Sequence, residues 1–268
     1  TQQETLFPYT TLFRSRARNV FACSEWDRIA RIEVCLDDAC ESRRELVRWI
    51  TPYWRRGERR WVIDASALLG LLGDGGARRF RVVMGPRWER KTPRDVRVAL
   101  RLSNRGKDAR AAGAVRAFTG GSFDIAYNAS QPPFAFTPPA SARRVEVVYL
   151  LSGHGQARGS NCAEWCDHRH QFAVDGTLLP EIAHDGAVGS RGGCGERARD
   201  GVPPGQWGNW APERAYWCPG LPVAHGRLDI TKLVTPGRTS TLTYSASLGG
   251  GAPGGGNISL SAYVTWFE

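Results

Sequence analysis

The sequence predicts an all-β protein in two parts, each of the size and pattern of a β-sandwich. Three observations carry that expectation. Short runs of alternating apolar and polar residues recur along the chain, the pattern of half-buried strands. Glycine- and proline-rich turns separate them, as in sandwiches and barrels. A break at 130–141, with Pro132, Pro133, Pro138 and Pro139, divides the 268 residues into parts of ordinary domain size, 16–130 and 131–268.

From Arg28 onward, Ile32, Val34 and Leu36 alternate with Arg31, Glu33 and Cys35, which predicts a half-buried strand. Cys35-Leu-Asp-Asp-Ala-Cys40 is a tight loop whose spacing fits closure by its own disulfide, and a returning strand follows through Leu46 to Ile50. Further runs at 61–63, 80–83, 96–102, 145–150, 172–174, 228–230, 239–244 and 258–266 predict strands. Trp49, Trp54 and Trp61 fall within such patterns and are assigned to the core rather than to sugar platforms. Asp175-Gly176 is a strong turn signal. A short helix is expected only at 65–72, stopped by Gly73. The glycine-rich stretch 249–256 lacks the ending of a phosphate loop and no helix follows it, so it reads as a flexible hairpin loop.

Composition excludes several classes. With 41% hydrophobic and 23% charged residues the chain is not disordered. No run of about 20 apolar residues occurs, so no membrane-spanning helix is expected. The net charge of +10 invites a nucleic-acid partner. Of 36 basic residues, however, only Lys91, Lys107 and Lys232 are lysine, an imbalance typical of a GC-rich coding sequence. The arginines are scattered, with no basic stripe, so no nucleic-acid partner is expected. The 7 cysteines at short separations, without a structural zinc pattern, favour disulfides and a secreted or periplasmic location.

Residues 5–15 read TLFPYTTLFRS, which looks like the translation of a common short-read sequencing adapter. The alternative is a genuine strand carrying Leu6, Leu12 and Phe13. On the adapter reading, 1–15 is foreign to the fold and the protein's own chain starts within its first domain at Arg16. A signal peptide and a partner for Cys23 would then lie upstream.

Three clusters place carboxylate or arginine beside tryptophan and cysteine: Cys23-Ser-Glu-Trp26-Asp27-Arg28; Asn161-Cys162-Ala-Glu164-Trp165-Cys166, preceded by Ser152-Gly-His154; and Asn209-Trp210-Ala-Pro-Glu-Arg214-Ala-Tyr216-Trp217-Cys218. Tryptophan faces stack on sugar rings while carboxylates and guanidinium groups bind hydroxyls and amides, so composition alone points to a carbohydrate site.

These clusters resemble the motifs of the bacterial peptide-N-glycosidase F family, amidases that remove N-linked glycans from asparagine. CSEWDR and ITPYW are similar to its first-domain motifs, NCAEWC and NWAPERAYWCPG to its second-domain signatures. The resemblance runs from about Cys23 to the C-terminus. It implies two jelly-roll β-sandwich domains packed side by side, with the active site between them. By residue it implies that Asp27 and Glu164 are catalytic, and that Arg28, Trp88, Trp165, Arg214 and Trp217 line the cleft. It implies hydrolysis of the asparagine–GlcNAc amide in an N-glycosylated peptide or protein, held by its chitobiose core. No cofactor or metal, no membrane partner and a monomer are expected. Two departures stand out. Pro86 occupies the position of a further family acid, with Arg87, Trp88 and Glu89 after it, and His154 replaces a cleft tryptophan.

The resemblance also implies the bridges Cys162–Cys166 and Cys194–Cys218. Cys35–Cys40 is inferred from spacing, and Cys23 is left over. His154, His168 and His170 raise a metal alternative, because His-x-His on a strand puts both rings on one face. Related copper monooxygenases share a comparable double sandwich but need a methionine ligand, and Met84 is the lone methionine. His170 is therefore expected to be a hydrogen-bonded structural residue. The rival readings are a non-catalytic glycan-binding module and a metal-dependent monooxygenase relative.

Overall fold

The structure, a computed structural model, describes residues 26–53, 58–73, 76–85, 96–103, 109–155, 162–184, 188 and 193–268. Among them, twelve strands form three four-stranded antiparallel sheets.

The first sheet has the order β3-β1-β2-β9. β1 (Ile29–Cys35) and β2 (Arg43–Ile50) form a hairpin. The Cys35–Cys40 disulfide closes its turn, with the two Cα atoms 4.7 Å apart. The Asp37 carboxylate accepts the amides of Ser42 (2.5 Å) and Glu41 (3.0 Å), which holds it below the usual carboxylate range. β3 (Phe80–Met84) adds to β1, and β9 (Pro222–Val223) pairs with Arg48 and Trp49 of β2.

The other eight strands are β4 (Ala111–Ser122), β5 (Phe134–Phe136), β6 (Arg144–His154), β7 (His168–Val174), β8 (Thr177–Leu178), β10 (His225–Asp229), β11 (Ser240–Leu248) and β12 (Asn257–Phe267). Their sheet orders are β10-β6-β12-β4 and β5-β11-β7-β8. Counting these eight in chain order, the first pairs with the eighth, the second with the seventh, the third with the sixth and the fourth with the fifth. That nested pairing, rolled over two sheets, is a jelly roll. Its core holds Phe118, Val145, Val147, Leu151, Phe172, Leu242 and Tyr244.

β6 explains how the layers stack. Val147 faces the sandwich core, whereas Val148 packs outward with Ala30, Val34, Leu46 and Trp49 of the first sheet. Buried on both faces, the segment reads as a continuous apolar run rather than an alternating one. A 3₁₀ helix, Ser66–Leu72, packs Ala67, Leu68 and Leu71 into the same interface. The expected short helix is therefore present in its tighter form, ended by Gly73 at φ +68°.

Several expectations change. Residues 61–63 form no strand: the Trp61 ring lies 5.4 Å from that of Trp49, and its Nε1 donates to the Gly220 carbonyl (3.0 Å), so side-chain packing rather than a ladder holds the segment. Residues 96–102 also lack strand pairing, and Val96, Val98, Leu100 and Leu102 are all exposed. The 249–256 loop is no hairpin, because β11 and β12 belong to opposite sheets. β4 and β5 bear on the expected division at 130–141. β4 precedes it yet pairs with β12, while β5 lies inside it and pairs with β11. The prolines flank an edge strand, where a missing amide donor is tolerated, and β4 shares its sheet with strands from beyond the expected division. Among the described residues the N-terminal part contributes one four-stranded sheet, completed by β9.

Candidate active site

The residues singled out in the sequence converge where the first sheet meets the loops of the jelly roll. Asp27 precedes β1, and its neighbour is clamped to the end of β2. The Arg28 amide donates to Thr51 Oγ1 (2.8 Å) and the Thr51 amide donates to the Arg28 carbonyl (2.9 Å). Tyr53 follows two residues later, almost fully buried.

Glu164 sits on α1 (Cys162–Trp165), a single turn closed by the Cys162–Cys166 disulfide. The glycine-rich loop seats that turn. The Ala163 amide donates to the Gly255 carbonyl (2.7 Å). Gly256, at φ +93°, lies so close that a Cβ there would stand 2.6 Å from that of Ala163. Arg214 is placed by its neighbour Ala215, whose amide donates to the Glu164 carbonyl (3.1 Å) and whose carbonyl accepts the Gly153 amide (3.1 Å). The buried Cys194–Cys218 disulfide ties down the same segment.

The centre of the arrangement is the Arg214 guanidinium, whose side chain is wholly buried. Its Nε faces Glu164 Oε1 at 3.3 Å, Nη1 donates to the Pro212 carbonyl (2.8 Å), and Nη2 donates to the Tyr53 hydroxyl (2.8 Å) and the Asn209 carbonyl. Its Cζ lies 4.5 Å from the Trp165 ring centre and 5.1 Å from that of Trp217, a cation between two indole faces. The second Glu164 oxygen accepts the Gly155 amide (2.8 Å).

Asp27 completes the set through Tyr53, whose hydroxyl hydrogen-bonds to its carboxyl. Burial, and then the charge of Glu164, push Asp27 up to about 6, against the opposing pull of Arg214 and Tyr53. Burial likewise raises the Tyr53 phenol well above its ordinary value, so it remains a donor at neutral pH. One carboxyl therefore titrates near neutrality while the other has both oxygens occupied by donors. That arrangement suits proton transfer by Asp27.

His154 stacks on Trp217, with ring centres 5.0 Å apart, and its Nε2 meets Ser152 Oγ at 2.8 Å. Burial, with the charges of Arg48 and Arg214, pushes it down to about 3, so the ring is neutral. Arg48 also donates to Ser152 Oγ (2.9 Å) and makes a two-pronged contact with buried Glu45 (2.8 and 2.6 Å). Trp217 is fixed by its own Nε1, which donates to the Gly153 carbonyl (2.6 Å).

The structure thus brings together Asp27, Glu164, His154, Trp165, Arg214 and Trp217. Arg28 is buried, but its Nη1 turns back to the Asp27 carbonyl (3.4 Å). Trp88, Pro86, Cys23 and the 1–15 segment lie outside the described residues, as do Trp54 and Asn161. The three disulfides pair as expected. Tyr53 was missed because ITPYW reads as a strand; the polar tip of a buried tyrosine was the available signal.

His168 and His170 belong to the jelly-roll core. His168 Nε2 must donate to the Ala163 carbonyl (2.8 Å), leaving Nδ1 to accept from His170 Nε2 (2.7 Å). His170 Nδ1 then accepts from the Tyr244 hydroxyl (2.6 Å), which meets Tyr127 at 3.0 Å. Burial lowers the pKa of both rings, in keeping with neutral links in this chain. All four ring nitrogens are engaged within the core, so His170 is a hydrogen-bonded structural residue.

Fold and site define an all-β protein with a carboxylate pair organised around a buried arginine. The profile of the C-terminal part of peptide-N-glycosidase F matches residues 123–265. The chain belongs to the peptide-N-glycosidase F family. Peptide-N(4)-(N-acetyl-beta-D-glucosaminyl)asparagine amidase F of Elizabethkingia miricola is 29% identical over 245 residues, which is 83% of this chain and 63% of that protein. The chain therefore spans less than two thirds of that relative. The structure of PNGase F, a glycosylasparaginase from Flavobacterium meningosepticum, superposes with a TM-score of 0.60 at 22% identity, covering 92% of this chain and 80% of that one. PNGF-II gives 0.62 at 13% identity, covering 92% and 55%. At these identities the structural likeness is one of fold.

Proposed function

We propose that the protein hydrolyses the amide that joins asparagine to the innermost GlcNAc of an N-linked glycan. The observation that carries this reading is the convergence of Asp27, from the first sheet, and Glu164, from the jelly roll, on Arg214 and Tyr53. Asp27, pushed up to about 6, is mostly ionised at neutral pH and takes a proton from the attacking water. Water oxygen bonds to the amide carbon. Asp27 then passes its proton to the departing nitrogen as the carbon–nitrogen bond breaks. The products are an aspartyl peptide and a glycosylamine.

Glu164, with both oxygens already accepting hydrogen bonds, holds Arg214 and helps to raise Asp27. Half-buried Trp165 and His154 offer the sugar-binding wall for the chitobiose core, while buried Arg214 and Trp217 hold those rings in position from behind. We assign Arg28 to the same cleft, and Trp88 on the family pattern alone. The three disulfides support a secreted or periplasmic home, and we assign the chain a monomeric state on the family pattern alone. Among the described residues no helix is long and apolar enough to cross a membrane.

The test is incubation with a defined N-glycopeptide and mass spectrometry of the peptide, with Asp27→Asn in parallel. Conversion of the glycosylated asparagine to aspartate by the wild type alone is expected. Intact substrate across several glycan types, from a folded protein, would reject the amidase in favour of a glycan-binding module.

A further inference from the structure

Trp207 is 87% exposed, although a buried indole contributes more to stability than almost any other side chain. Its backbone is also unfavourable. Gln206, Trp207 and Gly208 take successive φ values of +44°, +51° and +101°, and the left-handed region disfavours the first two residues. The fold thus carries local strain at a large, exposed ring.

Both ends of this segment rest on the site. Gly205 lies against Tyr53, where a Cβ would stand 2.7 Å from the tyrosine Cβ. Gln206 is buried and its Oε1 accepts from Asn209 Nδ2 (2.8 Å), while the Asn209 carbonyl accepts from Arg214 Nη2. Trp207 is two residues from each anchor, a chain distance of at most about 7 Å. The loop that carries the indole therefore borders the site, its two ends in contact with Tyr53 and Arg214.

We propose that Trp207 is an aromatic platform that stacks on a sugar ring of the glycan beyond its two core GlcNAc residues. This rests on the N-glycan reading above, which gives Trp165 and His154 to the core. A glycan continuing outward from Trp165 passes the 205–209 loop, which touches Arg214 through the Asn209 carbonyl, and meets the exposed indole face. Stacking needs only the apolar face of a pyranose, so the platform tolerates variation among outer sugars.

The experiment titrates free chitobiose and the free trimannosyl-chitobiose pentasaccharide into wild type, Trp207→Ala and Trp207→Phe by calorimetry. Melting curves of each protein serve as the folding control. Trp207→Ala is expected to weaken the pentasaccharide roughly 10-fold and leave chitobiose unchanged, with Trp207→Phe restoring most of the loss. Equal pentasaccharide affinity in all three proteins overturns the proposal, as does an equal loss for chitobiose. In parallel turnover assays, KM should rise with kcat unchanged; an effect that follows peptide length instead of glycan length also overturns it. A wild type that binds the pentasaccharide through Trp207 but cleaves no glycopeptide keeps the platform and removes the amidase.

Discussion

Replacing Tyr53 by phenylalanine tests the proposed proton chemistry with one missing atom. The Tyr53 oxygen accepts from Arg214 Nη2 at 2.8 Å and donates to the Asp27 carboxyl, for which it favours the ionised form. A hydrogen bond to a charged group contributes about 1.5–3 kcal/mol, and one pH unit corresponds to about 1.4 kcal/mol. Tyr53→Phe should therefore move the Asp27 titration upward by roughly one to two units. Arg214 retains the Pro212 and Asn209 carbonyls and Glu164, so the guanidinium stays in place. With Asp27 as the base, the acidic limb of kcat/KM rises from its wild-type position near pH 6 by the same amount. Activity at pH 6 falls several-fold while the alkaline plateau changes little. A titration of carbon-labelled aspartate by NMR reads the same shift without turnover. An acidic limb that stays put or moves down would refute the Asp27–Tyr53 link.

Removing the charge at Asp27 should also stabilise the fold. Its pKa is about 6 folded against an ordinary 3.8, so the protein is destabilised progressively as pH rises from about 4 to 6, by up to about 3 kcal/mol above that range. Urea melts of Asp27→Asn should show a gain of that size at pH 8, vanishing near pH 4. In that same background the buried histidines become visible. His168 is pushed down to about 4, so its contribution is complete above pH 6.5 and is lost as pH falls toward 4, about 3 kcal/mol from this ring alone. Denaturant midpoints at pH 7.5 and 4.5 check this. The two bridges beside the site should separate stability from catalysis. Opening Cys194–Cys218, separated by 24 residues, costs about 3.5 kcal/mol by loop entropy, against about 2 kcal/mol for Cys162–Cys166. Serine variants should therefore show the larger drop in melting temperature for the first bridge, and the larger loss of kcat/KM for the second, which encloses Glu164.

Much of the architecture is legible in the residues, and the failures have physical causes. Strands whose one face is polar, such as β1 and β11, show themselves by alternation. β4, AAGAVRAFTGGS, goes unread because its small residues leave little hydrophobic contrast, as close packing demands: a Cβ on Gly113 would lie 2.1 Å from the Trp266 ring. The run at 96–102 has the opposite fault, since alternation supplies a pattern but no neighbouring strand. In the site, Asp27, Glu164 and Arg214 are recognisable by motif. Tyr53, Ser152 and Arg48 are not, because their roles come from distant residues: Tyr53 meets Arg214 161 positions away, and Arg48 meets Ser152 104 positions away. Even His154, identified as a departure, becomes intelligible only once its ring is seen stacked on Trp217.

β9 contributes two residues, yet it determines what can be cut from this chain. It leaves the jelly roll, covers the open edge of β2, and returns through β10 to the jelly roll. During synthesis the first hairpin must wait with a bare edge until most of the chain has emerged. An exchange of the C-terminal sandwich between relatives would carry away the strand that completes the other part. The two halves are accordingly not interchangeable cassettes. Any recombined protein needs a β9 matched to the β2 it is to cover, or it exposes an edge on which other chains can pair.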